Sequence, residues 1–381
     1  MNEPRPEAEV HSWLIEPMPA DVDRSIKRLA RTDDVRYLAV MPDVHLARDV
    51  CIGTAVATSQ LVYPLAVGGD IGCGMAAMRL DGDADVLADE WRAAKLLGGL
   101  YRHVPSNRHP AGTMPEQLPE PLITDVLSHP RLEKLKHRDG RVQFGTLGRG
   151  NHFLELQADA ENCLWMMVHS GSRAMGQAIS AHHLDRIGSL PGGLPSVAAD
   201  SPAGQAYLAD VAWAIMYAEQ NRLVMLTAVA LLFEEFFGIA ADRDSLFHAN
   251  HNHVRREIHF GREYWVHRKG AQSARAGEPG IIPGSMGTAS FHVTGRGCEE
   301  SLCSSSHGAG RKMSRTDARR TISRRKLDRQ MASIWFDHRR AQALRDEAPG
   351  AYKDIHAVMR AQKKLTRIVR ELRPILSYKG V

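Results

Sequence analysis

Leu61-Val62-Tyr63-Pro64-Leu65-Ala66-Val67-Gly68-Gly69-Asp70-Ile71-Gly72-Cys73-Gly74 is the stretch on which the architecture turns. Leu61–Val67 reads as a buried strand, and Gly68-Gly69 ends it in a turn. The turn carries Asp70 and Cys73 three residues apart. Glycines let the backbone bend until both side chains point at one place. A carboxylate with a thiolate binds a divalent ion, and a thiolate can bridge two. Taken alone, a tight turn around a buried cysteine is the plainer reading.

The same alternation of apolar runs and turns extends in both directions. Upstream, Val35–Met41 reads as a strand ending at Pro42-Asp43, and Ile52–Ala57 as another. Downstream, Ala84–Leu100 reads as a helix stopped near Gly98-Gly99. His103–Pro121 reads as loop, Pro121–Leu135 as helix, and Phe153–Leu156 and Leu164–Val168 as strands. Ser201-Pro202 is a helix start, with a capping serine and proline at the first position. That helix runs to Gly238 and is too apolar for a surface helix, which places it centrally. Glu257–Val293 returns to short strands. Beyond Arg311 the chain reads as helical, with Ile355, Met359, Leu365, Val369 and Leu372 as one core face. The pattern is mixed α and β, with no internal repeat and no linker, which favours one integrated domain.

Composition narrows the class. The 381 residues are 43% hydrophobic and 24% charged, which excludes a disordered or collagen-like chain. The longest apolar run, Leu223–Phe233, is far short of the roughly 18 residues that span a bilayer. The polar, acidic start predicts no secretory signal. Five cysteines, few and odd in number, argue against a disulfide framework and for a reducing, cytoplasmic home. The net charge is only +5, but nine of the nineteen residues from Arg311 to Arg329 are Lys or Arg. Such a cluster suits a polyanion; a solvated helix face is the alternative. The 19 histidines, several in glycine-rich loops, make a metal worth considering.

Four further loops carry chemistry. Gly145–His152 (GTLGRGNH) could cradle a phosphate on backbone N–H groups, although it lacks the ending of a P-loop. His169-Ser170-Gly171-Ser172-Arg173 places a histidine at a strand end beside an arginine, suiting a metal ligand next to an oxyanion pocket. No Gly-x-Ser-x-Gly elbow supports a serine hydrolase. His248-Ala249-Asn250-His251-Asn252-His253 alternates histidine along an extended segment, with His251 on one face. Pro283–Gly287 and Ser304–Arg311 surround His307 with small residues, and a neutral imidazole presented this way can act as a nucleophile. Asp70, Cys73, His152, His169 and His251 together offer O, S and N ligands enough for two ions. Zinc and manganese or magnesium both stay open on spacing alone. A dinuclear site beside basic residues points to phosphoryl chemistry.

At this point the sequence resembles the RtcB family of RNA-splicing ligases. The resemblance rests on Met41-Pro42-Asp43-Val44-His45, the GGDIGCG loop, GNHFLE (150–155), HSGSR (169–173), HNHV (251–254), RKGA (268–271), PGSMGTAS (283–290) and SHGAGRKMSRT (306–316). These occur in family order and reach to Tyr378-Lys379-Gly380. The resemblance implies an α+β fold over residues 1–381 as a single RtcB-like catalytic domain. In it, β-rich layers surround a dinuclear metal site and helices cover them. It implies a ligase, using GTP and two Mn²⁺ ions, that joins RNA 3′-phosphate or 2′,3′-cyclic phosphate ends to 5′-hydroxyl ends. One manganese would sit on Asp70, Cys73 and His152, the other on Cys73, His169 and His251. His307 would become guanylylated, GMP would pass to the RNA 3′-phosphate, and the 5′-hydroxyl would displace it. Guanosine contacts would come from Asn151, His152, Phe153, Leu154, Glu155, His251, Asn252, Pro283, Gly284, Ser285, Met286, Ser290, His307, Gly308, Ala309, Gly310 and Lys379.

Two roles are hypotheses beyond the resemblance. Asp43 is expected to orient the His307 imidazole, and Arg173, Arg311 and Arg315 to hold the RNA phosphate. The expected partner is RNA with the ends named above, with a monomeric chain, no membrane, and an activating protein left open. Leu46-Ala47-Arg48-Asp49-Val50 departs from a family loop that is usually rich in Gly and Lys, and Ser305 stands where Cys is common. Repair of cleaved RNA and tRNA splicing both stay open, with repair favoured. A dinuclear metal-dependent phosphoesterase acting on RNA ends is the alternative enzyme.

Overall fold

The computed structural model describes residues 7–110, 112, 115, 117–188 and 193–380. Its centre is a seven-stranded antiparallel sheet. The strand order is Pro279–Ile282, Ser290–Gly295, Thr366–Lys379, Phe153–Ala158, Cys163–Ser170, Gly74–Asp83 and Ala241–Asn250. The two edges curl toward each other, and Ile281 from one packs with Ala249 from the other, so the sheet is nearly closed. A five-stranded sheet, Glu9–Ser12, Val35–His45, Ile52–Thr58, Arg262–Lys269 and Asn252–His259, lies beside it.

Two-residue alternation along the strands divides the molecule. Leu154, Leu156, Leu164, Met166, Val168, Ala76, Met78, Leu376 and Tyr378 face outward into the main apolar core. Met75, Ala77, Met167, Phe153 and Phe247 meet on the opposite, inner side. The intervening inner positions at one end of the strands are polar: Glu155, His169, Ser377 and Lys379. They line a cleft.

The helix Pro202–Phe237 packs on the outer face, as its apolar content predicted. Ser201 caps it by accepting from Gly204 N, and Gly238 closes it in the left-handed region at φ 67°. Thirty-six residues put its middle beneath the loops that carry the candidate ligands.

Five expectations fail, each for a physical reason. Only Leu61–Val62 is strand; Pro64, which has no N–H to give a ladder, starts a short 3₁₀ turn at Pro64–Ala66 instead. Ala84–Leu100 divides into a 3₁₀ turn, Ala84–Leu87, and a helix, Glu90–His103, which runs through Gly98-Gly99 because Gly99 packs against Leu232 and Phe236. Helix in 121–135 is confined to Pro130–Leu135. The largest miss is the C-terminus. Ile355–Ala361 is helical, but Thr366–Lys379 is a 14-residue strand joining the two halves of the central sheet. Val369 is exposed there rather than part of a core face. The Val35–His45 strand also continues through Pro42-Asp43, irregularly, since its register with Ile52–Thr58 shifts between Val40 and His45. That irregularity places Asp43 in the site.

Candidate active site

Five ligand-type side chains from four loops converge. Asp70 and Cys73 come from the glycine turn, His152 from the start of one strand, His169 from the end of the next, and His251 from the junction of two strands. Asp70, Cys73 and His152 form one group whose ligand atoms lie within 4.8 Å of one another; Cys73, His169 and His251 form a second. Cys73 Sγ stands 3.4 Å from His152 Nε2 and 3.3 Å from His169 Nε2. His152 Nε2 is 2.9 Å from Asp70 Oδ2.

The donor set fits a cation. His169 Nδ1 faces the Asn151 carbonyl at 3.1 Å, and His251 Nδ1 faces Asn252 Oδ1 at 3.2 Å. Each of those oxygens only accepts, so each Nδ1 carries the hydrogen and each Nε2 keeps its lone pair. The two Nε2 atoms are 3.0 Å apart. Burial holds both imidazoles well below the ordinary histidine range, and neighbouring histidines add to it. Two neutral nitrogens held lone pair to lone pair, with a sulfur beside them, make a site that a divalent ion relieves. Burial also pushes the Cys73 thiol well up, and Asp70 adds to this. Burial opposes the Asp70 carboxylate, but His152 overcomes it and holds that group below its ordinary value.

The loops approach so closely that glycine is required at two points. A Cβ at Gly171 would lie 2.2 Å from Asp70 Oδ1, and one at Gly148, where φ is +100°, would lie 2.3 Å from His152 Nδ1.

The central helix braces this arrangement through residues that no sequence motif marked. Arg222, fully buried, donates to the carbonyls of Gly72 at 2.9 Å and Ser170 at 2.8 Å, and to Asn250 Oδ1 at 2.5 Å. Each acceptor is the chain neighbour of a candidate ligand. Asn221 beside it binds Thr146 O, Ser170 Oγ and Gly145 N. The guanidinium therefore fixes the spacing of three ligand loops at once. Arg222→Met is expected to cost about 3 kcal/mol or more, because buried carbonyls lose a charged donor. It should also weaken binding of a divalent ion by the two ligand groups; a urea melt and a metal titration check the two effects separately.

Next to the ligand groups opens a cleft of about 280 Å³, near the lower end of the usual size for small-molecule sites. Asn151, Phe153, Glu155, Pro283, Gly284, Ser285, Met286, Ser290, Gly308, Ala309, Gly310 and Lys379 line it, and His307 and His169 stand where it meets the ligand groups. The His307 ring lies 4.6 Å from that of His251. Its Nδ1 is 2.7 Å from Asp43 Oδ2, and its backbone N–H donates to the same oxygen at 3.2 Å. Nδ1 therefore carries the hydrogen and Nε2 is left as a lone pair.

Other expected residues stand elsewhere. Leu154 points outward into the apolar core, as strand alternation dictates. Asn252 braces the turn, donating to Asp70 O at 3.0 Å and accepting from Gly270 N at 2.9 Å. Arg173 lies on the ligand side, 3.4 Å from His152 Nδ1. Arg311 and Arg315 line the cleft but are engaged by acids. Arg311 reaches Glu347 Oε1 at 3.2 Å, while Arg315 reaches it at 2.8 Å and Asp346 Oδ2 at 3.1 Å. Glu347 also takes Lys379 Nζ at 2.6 Å and Tyr352 Oη at 2.7 Å. Tyr352, Glu347, His45 and Ile52 were not legible as site residues; Tyr352 lies in a segment that carries no ligand-type motif.

The model of the family described as tRNA-splicing ligase RtcB matches residues 25–380. The chain belongs to the RtcB family. It is 36% identical over 392 residues to RNA-splicing ligase RtcB of Escherichia coli strain K12, covering 96% of this chain and 95% of that protein. RNA-splicing ligase RtcB of Mycobacterium tuberculosis is 30% identical over 91% of this chain and 97% of its own length. tRNA-splicing ligase RtcB of Nanoarchaeum equitans is 30% identical over 91% and 88%. RtcB membership and the mixed α+β architecture agree with the expectation drawn from the motifs. Among the described residues, no helix is long and apolar enough to cross a membrane.

Proposed function

We propose that this RtcB-family protein is an RNA ligase that joins RNA 3′-phosphate or 2′,3′-cyclic phosphate ends to 5′-hydroxyl ends, using GTP and manganese. The observation that carries the reading is His307. It is a tautomer-fixed imidazole seated between the cleft and two convergent ligand groups.

Glu155 and Lys379 on adjacent strands line the cleft, one an acidic side chain and the other a lysine. Guanine offers donors at N1 and N2 and an acceptor at O6, which matches that pair; adenine presents the opposite pattern at those edges. Asp70, Cys73 and His152 would hold one manganese and Cys73, His169 and His251 the other. Bound there, two cations neutralise charge on the transferring phosphates. His307 Nε2 attacks the GTP α-phosphate, a P–N bond forms, and pyrophosphate leaves. Asp43 offsets the positive charge that develops on the ring. GMP then passes to the RNA 3′-phosphate, giving an RNA-3′-pp-G end; the 5′-hydroxyl attacks the 3′-phosphorus of that end and GMP leaves.

Burial pushes the Glu155 carboxyl up to about 8, against the pull of Gln157 and Lys379. Below that pH the group is protonated and accepts poorly from guanine. The KM for GTP is therefore expected to fall as pH rises from 7 to 9, and Glu155→Gln should flatten that dependence. Steady-state labelling across this range checks it.

The activity is tested with two RNA strands of defined ends. Joining of 3′-phosphate to 5′-hydroxyl that requires both GTP and manganese supports the reading. Release of inorganic phosphate without joining would replace it with a metal-dependent phosphoesterase.

A further inference from the structure

Leu154 and Leu156 of the strand Phe153–Ala158 face the outer core, so Phe153, Glu155 and Gln157 face inward. Phe153 and Glu155 line the nucleotide cleft, while Gln157 stands one step deeper and does not. Gln157 is fully buried. Its partners on the flanking strands are Trp165 and Pro374, and the Trp165 indole N–H is given to Asp159 Oδ2 at 3.0 Å. A residue that only filled this space would be apolar. Gln157 carries an amide instead, and its Oε1 is buried without a hydrogen-bond partner. An orphaned buried carbonyl costs stability, so the other half of the amide needs a reason.

Glu155 supplies it. Gln157 Nε2 donates to Glu155 Oε1 at 2.7 Å. Among the described residues no other hydrogen bond reaches the Glu155 side chain. Lys379 is the charged group that faces Glu155, but its ammonium is held by Glu347 Oε2 at 2.6 Å. Ser377 and Met167, directly opposite Glu155 on the two neighbouring strands, carry no charge. Of the other titratable groups on the cleft, Arg311 and Arg315 are also held by Glu347, and His45, His169 and His307 make no hydrogen bond to Glu155. The Gln157 bond leaves Glu155 Oε2 and the second lone pair of Oε1 for the cleft. Those are two acceptors side by side, as the N1–H and N2–H of guanine require.

We propose that Gln157 is a positioning residue for nucleotide choice: its amide fixes the Glu155 carboxylate edge-on to the purine without touching the nucleotide itself. The assignment rests on the reading of the cleft as a guanine site. Burial works against the Glu155 carboxylate, and the Gln157 amide is the first of the groups opposing it, ahead of Lys379. Without the amide the carboxyl keeps its proton to higher pH. A protonated carboxyl accepts poorly and presents a donor where guanine also donates.

The test reads binding rather than turnover. Titration calorimetry, with manganese present, measures Kd for GTP carrying a methylene in place of the α,β-bridging oxygen, which does not transfer its nucleotide. The matching inosine nucleotide, which lacks the N2 amine, is measured beside it. Gln157→Met keeps the side-chain length and removes the amide. Withdrawing the donor moves the Glu155 titration up by about one pH unit, so Kd for the guanosine probe is expected to rise about tenfold at pH 7 and only about twofold at pH 9. The preference for guanosine over inosine should shrink at pH 7. In the Glu155→Gln background, Gln157→Met should add less than about twofold, because its effect runs through the carboxylate. Gln157→Asn, which draws the amide back without adding an apolar group, is the second variant, and circular dichroism checks that both fold. A Kd within about twofold of the parent at pH 7, an equal rise at pH 7 and pH 9, or the full rise in the Glu155→Gln background would overturn the positioning role. A parent that binds the two probes equally, or binds neither, would instead remove the guanine reading, and this role with it.

Discussion

Cys73→Ala is expected to reduce bound manganese from two ions per chain to at most one weakly held ion, and to lower RNA joining at least about a thousandfold. Cys73 Sγ belongs to both ligand groups, so one substitution breaks both. Two cations at transferring phosphates contribute several kcal/mol to the barrier, and each 1.4 kcal/mol is about a factor of ten. Alanine at this buried position makes a small cavity, and the Arg222 contacts go to backbone and Asn250, so the loops stay in place. Metal content by mass spectrometry of the desalted protein, with circular dichroism for folding, checks this. Two ions retained at parental affinity would remove Cys73 from the site.

Asp43→Asn carries the second large effect. The carboxylate is fully buried, and its Oδ2 accepts both the Nδ1 hydrogen and the backbone N–H of His307. Attack through Nε2 leaves positive charge on the ring. An ionised partner 2.7 Å away offsets that charge, and a neutral amide does not. The guanylylation rate is expected to fall about 10²–10⁴-fold, with little change in KM for GTP, because the group lies behind the imidazole rather than on the nucleotide. Single-turnover labelling at saturating GTP measures it. A rate within a few fold of the parent would show that Asp43 positions the loop without acting on the reaction.

How far the sequence could be read depended on the type of signal. Asp70, Cys73, His152, His169 and His251 were legible because, although each loop alone has a plain structural reading, the short loops together offer O, S and N ligands enough for two ions. The long helix was legible from its caps and apolar content. Arg222 was not, because a buried arginine on an apolar helix looks like any surface charge until the loops it bridges, Gly72, Ser170 and Asn250, are brought together by pairings across the chain. Thr366–Lys379 was misread because Ile355, Met359, Leu365, Val369 and Leu372 fit helical spacing, while nonlocal pairing with Ser290–Gly295 and Phe153–Ala158 makes a strand. Pairing of that kind also puts Lys379 into the cleft, where the resemblance had implied it. Glu347 was missed for the same reason: its partners Lys379, Arg315 and Tyr352 come from separate segments.

The central claim is that His307 carries the guanylate. The most direct measurement incubates the protein with manganese and GTP labelled at the α-phosphate, then follows acid-labile, alkali-stable label on the parent chain and on His307→Ala. Label on the parent and none on His307→Ala is the predicted result. Label on both, or on neither with two metal ions bound, would contradict it.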